Sequence, residues 1–158
     1  DEIMATPEFV THLRERIGHE LLWLSGVKIV VLHDSRVLLV RRADNGKWTL
    51  PAGIIDPGEE PSHTAHREVL EETGVECEIT DLLGVGVTAP TVYPNGDHAQ
   101  YLDVVFKARH LSGTAKVNDD ENLEVGYFEL ADRPELPPLH ERALQWALDP
   151  RPGGYFAS

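Results

Sequence analysis

Apolar and polar positions change texture along the chain and divide it into short elements. Val27-Lys28-Ile29-Val30-Val31-Leu32 and Arg36-Val37-Leu38-Leu39-Val40 are β-branched or apolar runs separated by His33-Asp34-Ser35, which predicts a strand pair with a tight connection. Trp48-Thr49-Leu50 is a short extended piece, followed by a turn-rich loop over 51–60. Pro61 stands where a helix can begin, and residues 61–73 are good helix formers stopped by Gly74. Further strands are predicted over 76–88, 101–108 and 125–130, with a Pro-, Asn- and Gly-rich loop over 89–98. At the N-terminal side, Thr6-Pro7-Glu8 has the order of a cap, a first helical position and an acidic first turn, so a helix is expected over 7–17, ending at Gly18. A last helix is expected over 139–148, after Pro137-Pro138 and before Pro150. Strands alternating with two or three helices indicate an α/β layered architecture. No repeat or linker interrupts it, so one domain over 4–158 is expected. Met4 would be a natural start, which leaves Asp1, Glu2 and Ile3 outside the fold.

Composition narrows the partners. With 158 residues, 41% hydrophobic and 26% charged, the chain can bury a core. Its longest apolar stretches fall far short of the roughly 20 residues that span a bilayer, so no membrane association is expected. There is no basic stretch followed by an apolar one, and a lone Cys77 forms no internal disulfide, so the expected location is cytoplasmic. A net charge of −13 repels nucleic acid and disfavours a DNA duplex as partner. An acidic protein that handles a small phosphorylated molecule has to supply positive charge locally, and carboxylates that recruit a divalent metal would do so.

Such carboxylates stand on the helix over 61–73. At about 100° per residue, Glu68, Glu71 and Glu72 fall within an arc of about 100°, while Val69 and Leu70 lie on the other side and can pack on a sheet. Like charges at this spacing destabilise a helix by a few tenths of a kcal/mol per pair, and a hard cation such as Mg²⁺ or Mn²⁺ would compensate. Arg67, four residues before Glu71, can also hold a carboxylate. The plainer reading is a solvated acidic face with a weak Arg67–Glu71 pair.

The upstream loop changes that balance. Residues 53–75 resemble the Nudix box at every defining position: Gly53, five residues, Glu59, seven residues, Arg67-Glu68, apolar Val69, Leu70, Glu71-Glu72, Thr73, Gly74 and apolar Val75. At roughly 7% usage for each fixed residue, the chance probability is on the order of 10⁻⁷ to 10⁻⁶. Trp48-Thr49-Leu50-Pro51 and the order of elements are also similar to that family.

The resemblance implies an α/β/α sandwich with a mixed β-sheet between helices. It also implies metal-dependent hydrolysis of a phosphoanhydride in a nucleoside diphosphate linked to a further group X, with a small nucleotide as substrate. Carried over by position, Glu68, Glu71 and Glu72 would ligate the metal, Gly53 would add its carbonyl, Arg67 would orient the glutamates, and Glu59 would anchor the loop to the helix. Glu124 resembles the extra glutamate that many members place before a final core strand, and is expected to act as base or further ligand, with Glu121 and Asp120 as alternates. His98 could instead polarise water.

Outside the box, Arg41 and Arg42 follow the second strand and suit phosphate contact through their planar guanidinium groups. Tyr93 and Trp48 are candidates for stacking on a base, although Trp48 beside Leu50 has a core pattern. His63 and His66 have no third nitrogen or sulfur ligand, so no zinc site is expected. Trp23 and Trp146 suit packing or an interface. Family subgroup markers conflict: Pro90 matches the ADP-ribose marker, Tyr93 the looser dinucleoside-polyphosphate one. Leu50-Pro51-Ala52-Gly53 also leans towards the ADP-ribose group, whereas the short N-terminal helix does not resemble the strand-rich region those enzymes use to dimerise. A homodimer remains compatible with the sequence. The alternative from another class is a catalytically silent nucleotide-binding regulator, for which all five of Glu59, Arg67, Glu68, Glu71 and Glu72 have no chemical need. Capped or triphosphorylated RNA ends would use the same chemistry, but the chain lacks a basic stripe.

Overall fold

A computed structural model describes residues 6–157. The elements in chain order are α1 (Glu8–Ile17), β1 (Leu22–His33), β2 (Arg36–Arg42), β3 (Trp48–Thr49), β4 (Ala52–Ile54), α2 (Pro61–Thr73), β5 (Glu76–Val87), β6 (Thr91–Val92), β7 (His98–Ser112), β8 (Asn122–Glu129) and α3 (Pro138–Leu148). The three residues expected to lie outside the fold fall outside the described range.

Eight strands form one mixed sheet along the path β3-β2-β1-β7-β5, with β4 on β1, β6 on β7 and β8 on β2. The β1–β7 pairing is parallel, from Leu22 opposite Ala99 to Leu32 opposite Arg109, and the other pairings are antiparallel. Helices cover both faces. Val27, Ile29 and Val31 pack with Ala65 and Val69 on the α2 side. Val30, Val37 and Leu39 pack with Ala143, Leu144 and Ala147 on the α3 side. That double cover explains why β1 is one continuous apolar run where a half-exposed strand would alternate. It also leaves Lys28 as a buried charge within the run.

Element starts differ from the pattern in physically simple ways. Thr6 is not the cap of α1: Pro7 takes that position at φ −56° and ψ 145°, with no side-chain cap bond, and its carbonyl accepts from the N–H groups of Val10 and Thr11. β1 begins five residues earlier than its apolar run, because parallel pairing with β7 continues through Trp23 and Ser25, whose side chains are exposed. α2 has the expected bounds. Its C-cap Gly74 adopts φ 74°, a left-handed conformation that suits glycine, and donates its N–H to the Leu70 carbonyl at 2.9 Å. Trp48 packs edge-on against Phe128, with ring centroids 4.8 Å apart, in the apolar layer under α3. Among the described residues, no helix is long and apolar enough to cross a membrane.

Two placements build the cleft. The short β4 pairs with β1, setting Ala52, Gly53 and Ile54 opposite Lys28, Val27 and Gly26 and laying Gly53 beside α2. α1 then packs Val10 and Phe9 with Leu24, Ala99 and Ile54, so that its first turn stands at the mouth of that cleft.

Candidate active site

The cleft straddles β4 as two neighbouring cavities of about 360 and 350 Å³, both lined by Ala52, Gly53 and Ile54. The first holds Arg67, Glu68, Glu71 and Glu121 and is bounded by the start of α1. The second runs under α3 and is floored by Lys28 and Asp103.

The loop before α2 and the helix itself are joined by a two-pronged ion pair. Arg67 donates from Nε to Glu59 Oε2 at 2.8 Å and from Nη2 to Glu59 Oε1 at 2.9 Å. Glu59 also accepts from Thr64 Oγ1 at 2.7 Å and from the Asp56 N–H at 3.3 Å. The guanidinium of Arg67, aided by Thr64 and the Asp56 amide, holds the Glu59 carboxyl down to about 2. The remaining nitrogen, Arg67 Nη1, reaches Glu68 Oε2 and Glu71 Oε1, each at 3.2 Å. One arginine thus fixes three glutamates of the loop and helix.

Glu68 and Glu72, one turn apart on α2, set their carboxyl groups against each other. Burial pushes Glu68 up to about 7 and, with the adjoining Glu68 charge, drives Glu72 well above the usual carboxylate range. Glu72 is 2% exposed, and its Oε2 is a buried acceptor without a hydrogen-bond partner; Oε1 receives only a long bond from Asn122 Nδ2 at 3.4 Å. An unsatisfied buried carboxyl oxygen beside a second carboxyl is costly unless something cationic joins it. Position 53 is glycine because a Cβ there would overlap the Glu68 carboxyl. The all-oxygen donor set and the orphaned Oε2 fit a hard divalent cation. Among the described residues, no three ligating side chains already converge as a finished cage, and Glu71, half-exposed, is turned to Arg67.

The other candidates divide between the cleft and the surface. Arg42 is buried in the wall of the second cavity, where it pairs with Asp44 at 3.1 Å and lies in the field of Glu72 and Glu121. Tyr93 lines the same cavity, its hydroxyl 2.6 Å from that of Tyr101. Arg41 and Glu124 are elsewhere: they face each other across β2 and β8 and form an exposed pair at 2.8 Å. A register shift between Arg41 and Arg42 sets Asn122 opposite Arg42 and turns Asn122, not Glu124, towards Glu72. The acidic group that this end of β8 brings to the carboxylate cavity is Glu121. His98 is exposed on the sheet's far end and its carbonyl accepts from Arg14. His66 pairs with Glu76 at 3.0 Å.

Asn122, Lys28, Asp103 and His140 were not singled out by sequence reasoning. Lys28 alone left a trace, as the charge that breaks an apolar strand.

Comparison with known proteins bears on the family and the fold. A family profile described as the NUDIX domain matches residues 23–147. A MutT-like protein of Streptomyces ambofaciens is 40% identical over 77 residues, 49% of this chain and 50% of the relative. The chain therefore spans about half the length of that relative. An ADP-ribose pyrophosphatase of Methanocaldococcus jannaschii is 31% identical over 119 residues, covering 73% of this chain and 68% of the relative. The crystal structure of a MutT NUDIX hydrolase from Burkholderia pseudomallei superposes with a TM-score of 0.66 at 30% identity, over 79% of this chain and 98% of that one.

Proposed function

The chain belongs to the NUDIX domain family, and from that premise we propose that it is a hydrolase that cleaves the phosphoanhydride bond of a nucleoside diphosphate linked to a further group, using Mg²⁺ or Mn²⁺. The observation that carries this reading is the Glu68–Glu72 pair against Gly53, with its orphaned Oε2. Glu68, Glu72 and the Gly53 backbone are the first candidates to hold the cation, and Glu71 joins them by turning from Arg67. When bound, the cation supplies positive charge to the phosphoryl oxygens and acidifies water.

The chain's own residues supply the rest. Arg67, anchored by Glu59, keeps Glu68 in place, so that this carboxylate does not have to reorganise during the reaction. Arg42, in the wall of the second cavity, offers a guanidinium to phosphate oxygens. Water attacks phosphorus in line, and the bond to the bridging oxygen breaks. Glu121 takes the attacking water's proton at its carboxylate, a role that the cleft favours over Glu124 because Glu124 is tied to Arg41 on the surface.

The test is a screen of nucleoside triphosphates, ADP-ribose, nucleotide sugars and dinucleoside polyphosphates with Mg²⁺, reading phosphate and nucleoside monophosphate release. Release from at least one of them, abolished by a chelator, is expected. Hydrolysis that persists in the chelator would overturn the metal-dependent reading.

A further inference from the structure

Under α3 the cleft floor carries a buried ion pair that the hydrolytic roles leave unused. Lys28 of β1 donates to Asp103 Oδ2 of β7, and the two side chains are 10% and 6% exposed. Replacing such a pair by apolar groups of similar volume is often neutral or stabilising, so holding the sheet together does not require it. Beside it stands Gly26, the β1 residue in register with Asp103. A Cβ at position 26 would come within 3.0 Å of Asp103 Oδ1, the oxygen that Lys28 does not hold, and within 3.3 Å of the Gly53 carbonyl. Glycine therefore keeps a path from the cleft to that oxygen.

Arg42, Asp44 and Lys47 also line this cavity, but the groups described beside the ion pair are neutral. Tyr101 flanks Gly26, and its hydroxyl is tied to Tyr93. His140 accepts from the Leu50 N–H at Nδ1, at 3.2 Å, so it carries its proton on Nε2. A phosphate against Asp103 would meet a carboxylate. An ammonium next to a carboxylate instead offers donors and an acceptor side by side, the complement of an acceptor beside an N–H on a nucleobase edge. The cavity of about 350 Å³ shares Ala52, Gly53 and Ile54 with the carboxylate cavity, so a base held here leaves its phosphates on the side of the glutamates.

We propose that Lys28 and Asp103 together recognise the hydrogen-bonding edge of the substrate's nucleobase, with Gly26 giving access to Asp103. The inference rests on the cleft being the substrate site proposed above, and assigns its α3-side cavity to the nucleoside half.

Nucleoside binding needs neither metal nor turnover, which separates this test from the hydrolytic one. Adenosine, guanosine, cytidine and uridine, with ribose as the base-free control, are titrated into the whole protein and followed by amide chemical shifts. At least one nucleoside is expected to move the Gly26 and Asp103 amides, and ribose is not. Asp103→Asn and the double variant Lys28→Met/Asp103→Leu should weaken that binding about 10- to 100-fold, the size of a charge-assisted hydrogen bond, with the double variant melting near the wild type. Glu72→Gln should bind the nucleoside as the wild type does. Should the double variant unfold, N-methylation of the base edge supplies the same reading on the wild type, with at least about tenfold weaker binding expected. Nucleosides that leave those amides unmoved, or that bind Asp103→Asn as tightly as the wild type, would overturn the proposal. If nucleosides bind as described but no nucleotide is hydrolysed, the hydrolytic reading falls and this one stands.

Discussion

A methyl group at position 53 would fill the space that the Glu68 carboxyl occupies, so Gly53→Ala has to push Glu68 off the proposed cation site or shift β4. Either displacement approaches an ångström, and misplacement on that scale can lower a rate about 100-fold. We expect kcat to fall by about that factor while the melting temperature moves little, as read by steady-state kinetics beside a thermal melt; unchanged kcat would remove Glu68 from the site. At this scale the sequence was most informative where the residues are local. Arg67, Glu68, Glu71 and Glu72 lie on one helix, whose periodicity places them without knowledge of the sheet, whereas Gly53 and Glu59 were legible only through the resemblance to the Nudix box. Glu124 shows the limit, since one register irregularity in β8 turns it to the surface and Asn122 inward. Lys28 and Asp103 meet only through the pairing of distant strands, which no local pattern encodes.

The Glu59–Arg67 clamp makes α2 and its preceding loop one unit. Glu59 is depressed to about 2 in the fold and titrates near 4.5 when free. Its contribution is therefore complete above about pH 4.5 and is lost as pH falls through about 2. Glu59→Gln should flatten the fall in thermal midpoint over that window, and an unaltered acid profile would show that the clamp adds nothing to stability. The docking of α3 has a different signature. Burial, reinforced by Lys28 and Arg42, holds His140 down to about 3 against an ordinary value of 6.5. The unfolded chain takes up a proton first, so stability falls as pH drops from 6.5 towards 3. His140→Gln should show a shallower decline between those values, and an equal decline would assign it to other groups. Helix bounds were legible because caps and stops are local: Pro61 and Gly74 bracket α2 where periodicity puts it. Strand ends were not, because β1 and β7 continue past their apolar runs for as long as each has a partner.

Over the whole molecule, the alternation of strands and helices revealed the layered architecture, and the doubly covered β1 agrees with an apolar run that only Lys28 interrupts between Val27 and Leu32. Strand order was not written in that pattern: placing β7 parallel to β1 and inserting β4 on the same strand is a matter of long-range pairing. That topology opens one cleft across β4, with carboxylates on the α2 side and a mixed-charge floor on the α3 side. On the proposed reading, the carboxylate side of that cleft is where the cation binds. The measurement that bears on this most directly is the Mg²⁺-dependent hydrolysis rate of Glu72→Gln against the wild type on the best nucleotide from the screen. A fall of at least about 100-fold, the size typical of removing a group that positions transition-state charge, with the fold intact, is the result expected. A rate equal to the wild type would contradict the assignment of the buried carboxyl pair as the cation site.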